Sequence, residues 1–183
     1  GVGEGPFGAG CKKVLEEMLQ LGKERGFLTE NFDNRVGSLC LEEGDLSNTV
    51  GFWGHLDVVP EGDNWEYEPY QAVEKNGYLI GRGSQDNKGP TIAVLYLLLC
   101  FKELGISLKH HLKLYVGCDE EKGMADLEYF TAHYPCPRLN IIADCGFPVC
   151  YGEKGIIEGN IWAGKPLQKP LLSLKGGRAS NMV

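Results

Sequence analysis

The stretch GRGSQDNKGP, residues 81–90, decides the predicted fold because it joins a β-like run to a long apolar helix. The β-like run is residues 78–80, and the helix is predicted over residues 91–104. The glycines of the stretch permit a tight turn and a close approach of the backbone to a bound group. Asp86 lies at this strand-to-helix corner, where it is either a metal ligand or the N-cap of the helix, a position that Asp prefers.

Predicted strands and helices alternate on both sides of this corner. Apolar residues recur with helical spacing in some segments, and alternate or run continuously in others. The predicted strands are residues 49–55, a hairpin at 72–80, residues 110–118 and 139–143, two short strands within 27–43, and residues 156–163 and 171–174. The predicted helices are residues 11–25, 91–104 and 124–134. This order predicts an α/β fold with a mixed, largely parallel sheet and helices on both faces.

Length, charge and cysteine usage limit the classes of protein. A chain of 183 residues with 43% hydrophobic content can form one domain with a core. It has 18 Lys and Arg against 25 Asp and Glu, a net charge of −7, so nucleic acid and anionic membranes are poor partners. No apolar run is long enough to span a bilayer. The 7 cysteines include no CxxC pair, which favours reduced thiols in a cytoplasmic protein over disulfides or a thiolate metal site.

Reactive side chains follow four of the predicted strands. They are His55, Asp86, Glu120 and Asp144. Functional groups of α/β sheets collect at the carboxyl ends of the strands. We therefore expect these side chains to converge at one edge of the sheet, although an Asp such as Asp144 can also simply open a turn.

His55 and Asp57 lie two residues apart in the sequence GHLDVVP. Residues i and i+2 of an extended segment point the same way, so Asp57 can lie behind or beside His55. Histidines that bind metals are usually oriented by such a carboxylate. The alternative is a histidine with a purely structural role.

Three adjacent acids, Asp119, Glu120 and Glu121, occur in the sequence CDEEKG directly after the predicted strand 110–118. Like charges this close are unfavourable unless a cation or solvent relieves them. Neighbouring glutamates can also divide the work, one binding a metal while the other is a general base toward water. A solvated loop is the alternative.

One histidine and several carboxylates form a donor set that suits a dication such as Zn²⁺, Mn²⁺ or Co²⁺. Because the carboxylates outnumber the histidine, two ions bridged by a carboxylate fit this set better than one. Two such ions ~3.5–4 Å apart can clamp a hydrolytic water. The set therefore predicts metal-assisted hydrolysis.

Five motifs occur in the order HLDVVP, GRGSQDNKGP, DEEKG, ADCGFPV and YGEKG. In this order they resemble the M20 family of metallopeptidases, and within it the PepV-like dipeptidase branch, over residues 6–183. The resemblance implies a zinc-peptidase-like catalytic domain. It also implies hydrolysis of dipeptides or short peptides with two divalent ions, Zn²⁺ first and Mn²⁺ or Co²⁺ as alternatives.

The resemblance implies roles for the residues around the first ion. His55 binds this ion, and Asp57 orients His55. Asp86 bridges both ions, and the peptide bond from Asp86 to Asn87 is expected to be cis. Asp144 completes the first ion's ligands, and Asp rather than Glu at that position is similar to the aminopeptidase and dipeptidase branches of the family.

The two glutamates of DEEKG receive different roles from the resemblance. Glu120 is the general base that takes a proton from the attacking water, and Glu121 binds the second ion. Family members supply a further histidine to that ion from near their C-terminus. His110, His111 and His133 do not match it.

Family members are also much longer than this chain and carry an inserted lid domain. Residues 1–155 are therefore expected to form the N-terminal part of the catalytic domain. Residues 156–183 are expected to be its last strands and the start of an incomplete lid, where Asn181 approaches substrate. We expect the chain to be a catalytic-domain fragment that binds about one tight dication and is itself inactive.

Two other functions stay open at this point. One is an amide deacylase of the same family, against which Asp144 argues. The other is a non-catalytic fragment that binds metal or peptide without turnover. A dipeptide or short peptide is the expected partner, and the sequence leaves the preferred dipeptide and the oligomeric state open.

Overall fold

The computed structural model describes residues 5–146, 148–152, 155, 157–161 and 172–176, and the last two ranges only as backbone strands. The chain divides into two compact units, Gly1–Asp144 and Cys145–Val183. The predicted division at residue 155, with a lid beginning after it, stays a prediction. Asn181 lies outside the described residues, and so does its predicted approach to substrate.

Helices and strands of the first unit follow the predicted order. The helices are α1 (Ala9–Glu24), α2 (Lys88–Glu103) and α3 (Ala125–His133). The strands are β1 (Leu28–Phe32), β2 (Val36–Cys40), β3 (Thr49–His55), β4 (Val73–Lys75), β5 (Tyr78–Ile80), β6 (His111–Gly117) and β7 (Leu139–Ile142). α2 begins at Lys88 rather than at residue 91, because the first turn of a helix accommodates Pro90 without losing a backbone hydrogen bond.

The central sheet has five strands in the order β1-β2-β6-β3-β7. β3 lies between β6 and β7 and runs parallel to both. The pairs β1–β2 and β2–β6 are antiparallel. The predicted mixed α/β sheet is confirmed, with its parallel pairing concentrated around β3.

Two separate cores cover the two faces of the sheet, because alternate residues of β6 point to opposite sides. Leu114 packs with Leu15 of α1 and Leu95 of α2 in an aliphatic cluster. Tyr115 packs on the other face against Phe130 of α3, with ring centroids 5.6 Å apart. Each fully buried leucine or phenylalanine contributes roughly 1.5–3 kcal/mol of transfer free energy. Helices therefore lie on both faces, as predicted.

β4 and β5 form a two-stranded hairpin outside the central sheet. Asn76 and Gly77 at its turn have φ values of 54° and 80°, the left-handed region that an Asn-Gly turn adopts. The hairpin predicted at residues 72–80 is thus present, as a sheet of its own. The tight turn gives β5 a local antiparallel partner in β4, so the central sheet is not needed to satisfy its backbone.

The second unit contains the strands β8 (Ile157–Ile161) and β9 (Leu172–Gly176). They pair antiparallel, with Ile157 opposite Gly176. The strands predicted at residues 156–163 and 171–174 are thus present with these bounds. Among the helices that the structure describes, none has both the length and the apolar character required to cross a membrane.

Candidate metal centre

The carboxyl ends of β3, β6 and β7 lie side by side because these three strands are parallel. His55 is the last residue of β3, and it is opposite Gly117, the last residue of β6. The segment that leaves β6 carries Glu120, and the segment that leaves β7 carries Asp144. Strand pairing therefore brings residues that are far apart in the sequence to one edge of the sheet.

The His55 imidazole is the centre of this edge, and only 3% of its side chain is exposed. Its Nε2 atom lies 3.0 Å from Asp86 Oδ1, 3.5 Å from Asp144 Oδ2 and 3.9 Å from Glu120 Oε2. Three carboxylates from three segments thus converge on one ring nitrogen. The side chains meet at one edge of the sheet, as the strand-end argument predicts.

Asp57 lies at the opposite side of the ring and is buried. The His55 Nδ1 atom is 3.0 Å from the Asp57 carbonyl oxygen and 3.4 Å from Asp57 Oδ1. The two carboxylate oxygens of Asp57 also accept hydrogen bonds from the backbone N–H groups of Glu120 and Glu121, at 3.2 and 3.1 Å. Asp57 therefore lies behind His55 and also connects it to the two glutamates.

Asp86 lies immediately before α2, whose N-cap position is Asn87. The Asp86 carboxylate faces His55 and does not cap the helix, and its role as a metal ligand stays a prediction. The bond from Asp86 to Asn87 is cis, as the resemblance implies. The Asp86 side chain is 64% exposed, so a ligand can reach it from solvent.

Asn87 is fully buried and joins three elements at this edge. Its Nδ2 donates to Asp144 Oδ1 and to the Ala143 carbonyl oxygen, both at 2.8 Å. Its Oδ1 accepts from Thr91 Oγ1 at 2.9 Å and from the His55 backbone N–H at 3.3 Å. Asn87 thus ties the start of α2 to the ends of β3 and β7 and orients the Asp144 carboxylate.

A glycine in β3 makes room for Asn87. A Cβ atom at Gly54 would lie 2.6 Å from Asn87 Oδ1 and 2.2 Å from Thr91 Oγ1, so any larger residue would displace the start of α2. Asn87 is a site residue that the sequence pattern does not predict. A glycine directly before His55 was the available signal that another polar group packs closely there.

Comparison with known proteins identifies the family. Residues 51–162 match the sequence model of peptidase family M20/M25/M40. The chain belongs to this family. It is 36% identical, over 97% of its length, to the protein named "Putative dipeptidase YtjP" of Bacillus subtilis (strain 168). It is 35% identical, over 84% of its length, to the Beta-Ala-Xaa dipeptidase of Lactobacillus delbrueckii subsp. lactis. This M20-family chain spans 39% and 32% of the lengths of these two relatives.

Solved structures of M20-type peptidases share the fold. Human carnosine dipeptidase 1 matches with a TM-score of 0.60 and 24% identity, over 81% of this chain and 35% of that one. The M20 family metallo-carboxypeptidase Sso-CP2 from Sulfolobus solfataricus matches with a TM-score of 0.62 and 22% identity, over 82% of this chain and 36% of that one. At these identities the likeness supports the fold alone.

Membership of the M20 family implies a divalent metal ion, and the donor atoms of this chain fit one. In the part of the chain that the structure describes, there are two groups of such donor atoms, and within each group the atoms all lie within 4.8 Å of one another. We call His55, Asp86 and Asp144 the first ligand group, and His55, Glu120 and Glu121 the second ligand group. These names describe which donor atoms lie together, and Glu120 keeps its predicted role as the general base. An imidazole nitrogen with carboxylate oxygens is a donor set for Zn²⁺, Mn²⁺ or Co²⁺. The pairing of Asp86 with Glu121 at a second ion stays a prediction.

The pKa values of His55 and Glu120 are both raised at this site. Burial by itself lowers the pKa of His55, but the hydrogen bond to Asp57 and the charges of Asp144, Asp57 and Glu120 outweigh it and raise this pKa to about 9. Burial raises the pKa of Glu120, and the charges of Asp144, Glu121 and Asp57 add to this rise against the opposing effect of His55. The centre therefore attracts positive charge, which a bound dication supplies.

The pKa of Asp57 is lowered even though burial on its own would raise it. The hydrogen bond with His55 and those from the backbone N–H groups of Glu121 and Glu120 favour the ionised form. Asp57 is therefore a carboxylate at neutral pH, as its place behind His55 requires.

Proposed function

We propose that the protein of which this chain is part is a metal-dependent peptidase that hydrolyses dipeptides or short peptides. The observation that carries the proposal is the convergence of Asp86, Asp144 and Glu120 on the Nε2 atom of His55. Membership of the M20 family and the dipeptidase names of its relatives support the substrate class.

Two divalent ions, Zn²⁺ first and Mn²⁺ or Co²⁺ as alternatives, are part of the proposal. His55, Asp86 and Asp144 would hold one ion, and Asp86 with Glu121 would hold the other. Bound there, the ions would supply Lewis acidity that polarises the peptide carbonyl group and makes a water molecule easier to deprotonate.

Glu120 is the general base in this proposal. Its carboxylate is partly exposed, so water and substrate can reach it, and it lies beside the ring nitrogen of His55. Burial and the neighbouring acids raise its pKa, which makes it a better proton acceptor than an ordinary glutamate near neutral pH. Glu120 takes the proton of the attacking water and then delivers it to the leaving amine.

Asp57 and Asn87 orient the groups that bind. Asp57 fixes the ring of His55 from behind and leaves Nε2 directed at the carboxylates. Asn87 fixes Asp144 through a hydrogen bond to Oδ1, so that Oδ2 faces His55. These contacts limit the reorganisation that ion binding requires.

The substitution Glu120→Gln in the full-length protein tests the proposal. We expect dipeptide turnover to fall about 10²–10⁴-fold, the range for a lost general base, with the metal content nearly unchanged. Glu128→Gln is the matched control, because Glu128 is an exposed glutamate on the nearby helix α3. Near-normal turnover of the Glu120 variant would contradict the role of Glu120.

The substrate panel separates dipeptidase activity from the alternatives. Dipeptides and N-acylated amino acids are assayed side by side with Zn²⁺, Mn²⁺ or Co²⁺. Faster cleavage of the N-acylated amino acids would identify a deacylase instead. Metal binding without cleavage of any substrate would identify a binding protein.

A further inference from the structure

Two carboxylates accept hydrogen bonds from the backbone N–H groups of the turn that follows β6. We call residues 118–121 the glutamate turn, because they include Glu120 and Glu121. The carboxylate of Asp57 accepts hydrogen bonds from the backbone N–H groups of these two glutamates. The first two residues of the turn, Cys118 and Asp119, donate theirs to a different carboxylate, that of Asp126, at 2.6 and 3.0 Å.

Asp126 is a buried acid near the start of α3, and its side chain is 3% exposed. Its Oδ2 accepts both bonds from the glutamate turn, and its Oδ1 accepts a third from the Leu127 N–H at 2.7 Å. Among the described residues, no Lys, Arg or His side chain forms an ion pair with Asp126. Backbone amides are therefore its main partners.

Gly117, the last residue of β6, leaves room for this carboxylate because it has no side chain. A Cβ atom at Gly117 would lie 2.4 Å from Asp126 Oδ2. Any other residue there would push the carboxylate away from the glutamate turn. The close contact therefore depends on a glycine at residue 117 and on the carboxylate of residue 126.

Burial of the Asp126 carboxylate is unfavourable by itself. Desolvation raises its pKa, and the hydrogen bonds from Cys118, Leu127 and Asp119 only partly oppose this. An exposed acid in the first turn of α3 would interact with the helix dipole without that loss. What the buried position adds is the pair of bonds to the glutamate turn.

We propose that Asp126 is a positioning residue for the second ligand group, a role that rests on the proposed metal site. Asp126 holds the first half of the glutamate turn and Asp57 holds the second half. Together they fix the backbone from which Glu120 and Glu121 reach toward His55. Asp126 touches neither glutamate side chain, so it acts only through the turn.

Two variants of Asp126 remove these hydrogen bonds to different extents. Asp126→Asn keeps the shape but replaces one acceptor oxygen by an NH₂ group, and Asp126→Ala removes both oxygens. The purified protein is titrated with Co²⁺, whose visible absorption depends on its ligands. We expect the affinity for the ion that Glu121 would bind to fall about 10–100-fold with a changed spectrum, and more for Ala than for Asn.

Phe130→Leu is the matched control for a general loss of stability. Phe130 lies on the same helix and is buried in the aromatic cluster, away from the glutamate turn. We expect it to lower the melting temperature while the Co²⁺ affinity and spectrum stay those of the parent protein. If Asp126→Ala does not fold, Asp126→Asn and Gly117→Ala give the same comparison, since the added methyl group displaces the carboxylate.

The outcomes separate this inference from the proposed function. A parent protein that binds no Co²⁺ would overturn the metal site and the role of Asp126 with it. A parent protein that binds Co²⁺, with Asp126 variants that match it in affinity and spectrum, would overturn the role of Asp126 alone. The same result follows if Phe130→Leu changes the spectrum as much as Asp126→Asn does.

Discussion

The two ligand groups are built around the same histidine but are held in different ways. In the first ligand group a side chain fixes a ligand directly, because Asn87 donates to the carboxylate of Asp144. In the second ligand group the glutamates are fixed through their backbone. The carboxylates of Asp57 and Asp126 accept hydrogen bonds from the N–H groups of the turn. The first arrangement sets the orientation of one carboxylate, whereas the second sets the position of a whole segment.

Because the two groups are held differently, some residues affect one group and others affect both. His55 belongs to both groups, and Asp57 contacts His55 as well as the backbone of the glutamate turn. Asn87 bonds to the carboxylate of Asp144 and to the backbone N–H of His55, whereas Asp126 bonds to the glutamate turn. Substitutions can therefore separate the two groups.

The largest effect is expected from His55→Ala, because it removes the one nitrogen that both groups share. Three carboxylates would then face one another without the imidazole. We expect turnover to fall to background in a dipeptide assay, and the ion of the first ligand group to be lost in isothermal titration calorimetry. His133→Ala is the control, since His133 is an exposed histidine on α3. Retention of turnover or of that ion by His55→Ala would contradict the proposed role of His55.

The next largest effect is expected from Asn87→Ala, which removes the donor to Asp144. The ion at the first ligand group should bind about 10–100-fold more weakly, the usual result of losing a residue that orients a ligand. Binding of the ion at Glu121 should stay the same. Asp126→Asn should do the reverse, since it should weaken the ion at Glu121 and leave the ion at the first ligand group unchanged. The Co²⁺ spectra of the two variants measure this reversal.

Asn140→Ala is the control for Asn87→Ala. Asn140 also accepts a hydrogen bond, from the Trp53 indole N–H at 2.8 Å, but it lies within β7 away from the ligands. It should lower the melting temperature without changing the Co²⁺ spectrum. Equal spectra for the Asn87 and Asn140 variants would mean that Asn87 only stabilises the fold.

The smallest effect is expected at Cys118, which reports on the glutamate turn. Its thiol is 1% exposed, and burial raises its pKa well above the usual range, so little reactive thiolate is present at pH 8. Asp126→Asn should open the turn and speed alkylation of Cys118 about tenfold, if roughly 1.4 kcal/mol of hydrogen bonding is lost. Peptide mass spectrometry measures this rate, with the exposed Cys100 as the internal reference.

An unchanged alkylation rate of Cys118 in Asp126→Asn would show that the turn keeps its place without the second oxygen. In that case the two groups would not differ in the way they are held. Faster alkylation of Cys118 and Cys100 together would instead indicate general unfolding.

The sequence predicts the strand ends well because they follow from local patterns. His55, Glu120 and Asp144 each come after an apolar run, and parallel pairing brings such ends together. The hairpin turn at Asn76 and Gly77 is predicted for the same local reason. What the pattern does not show is that β5 pairs only with β4, because pairing partners are chosen by tertiary packing.

The residues that position the ligands are harder to predict because their partners are distant in the sequence. Asn87 and Asp144 are 57 residues apart, and nothing near Asn87 indicates that it is buried. Asp126 is an ordinary acid in the first turn of a predicted helix until its contact with Gly117 is known. Gly54 and Gly117 were the local signals, since each allows a polar group to approach its strand.

The place of β3 between β6 and β7 means that the complete site depends on two separate strand pairings. Pairing of β3 with β6 is enough to bring His55 to Glu120, whereas Asp144 arrives only when β7 joins the other side of β3. A slip of β3 by one residue would move His55 by about 3.3 Å and turn its side chain to the opposite face. The first ligand group is therefore complete only when β3 is paired in register with β7 as well as with β6.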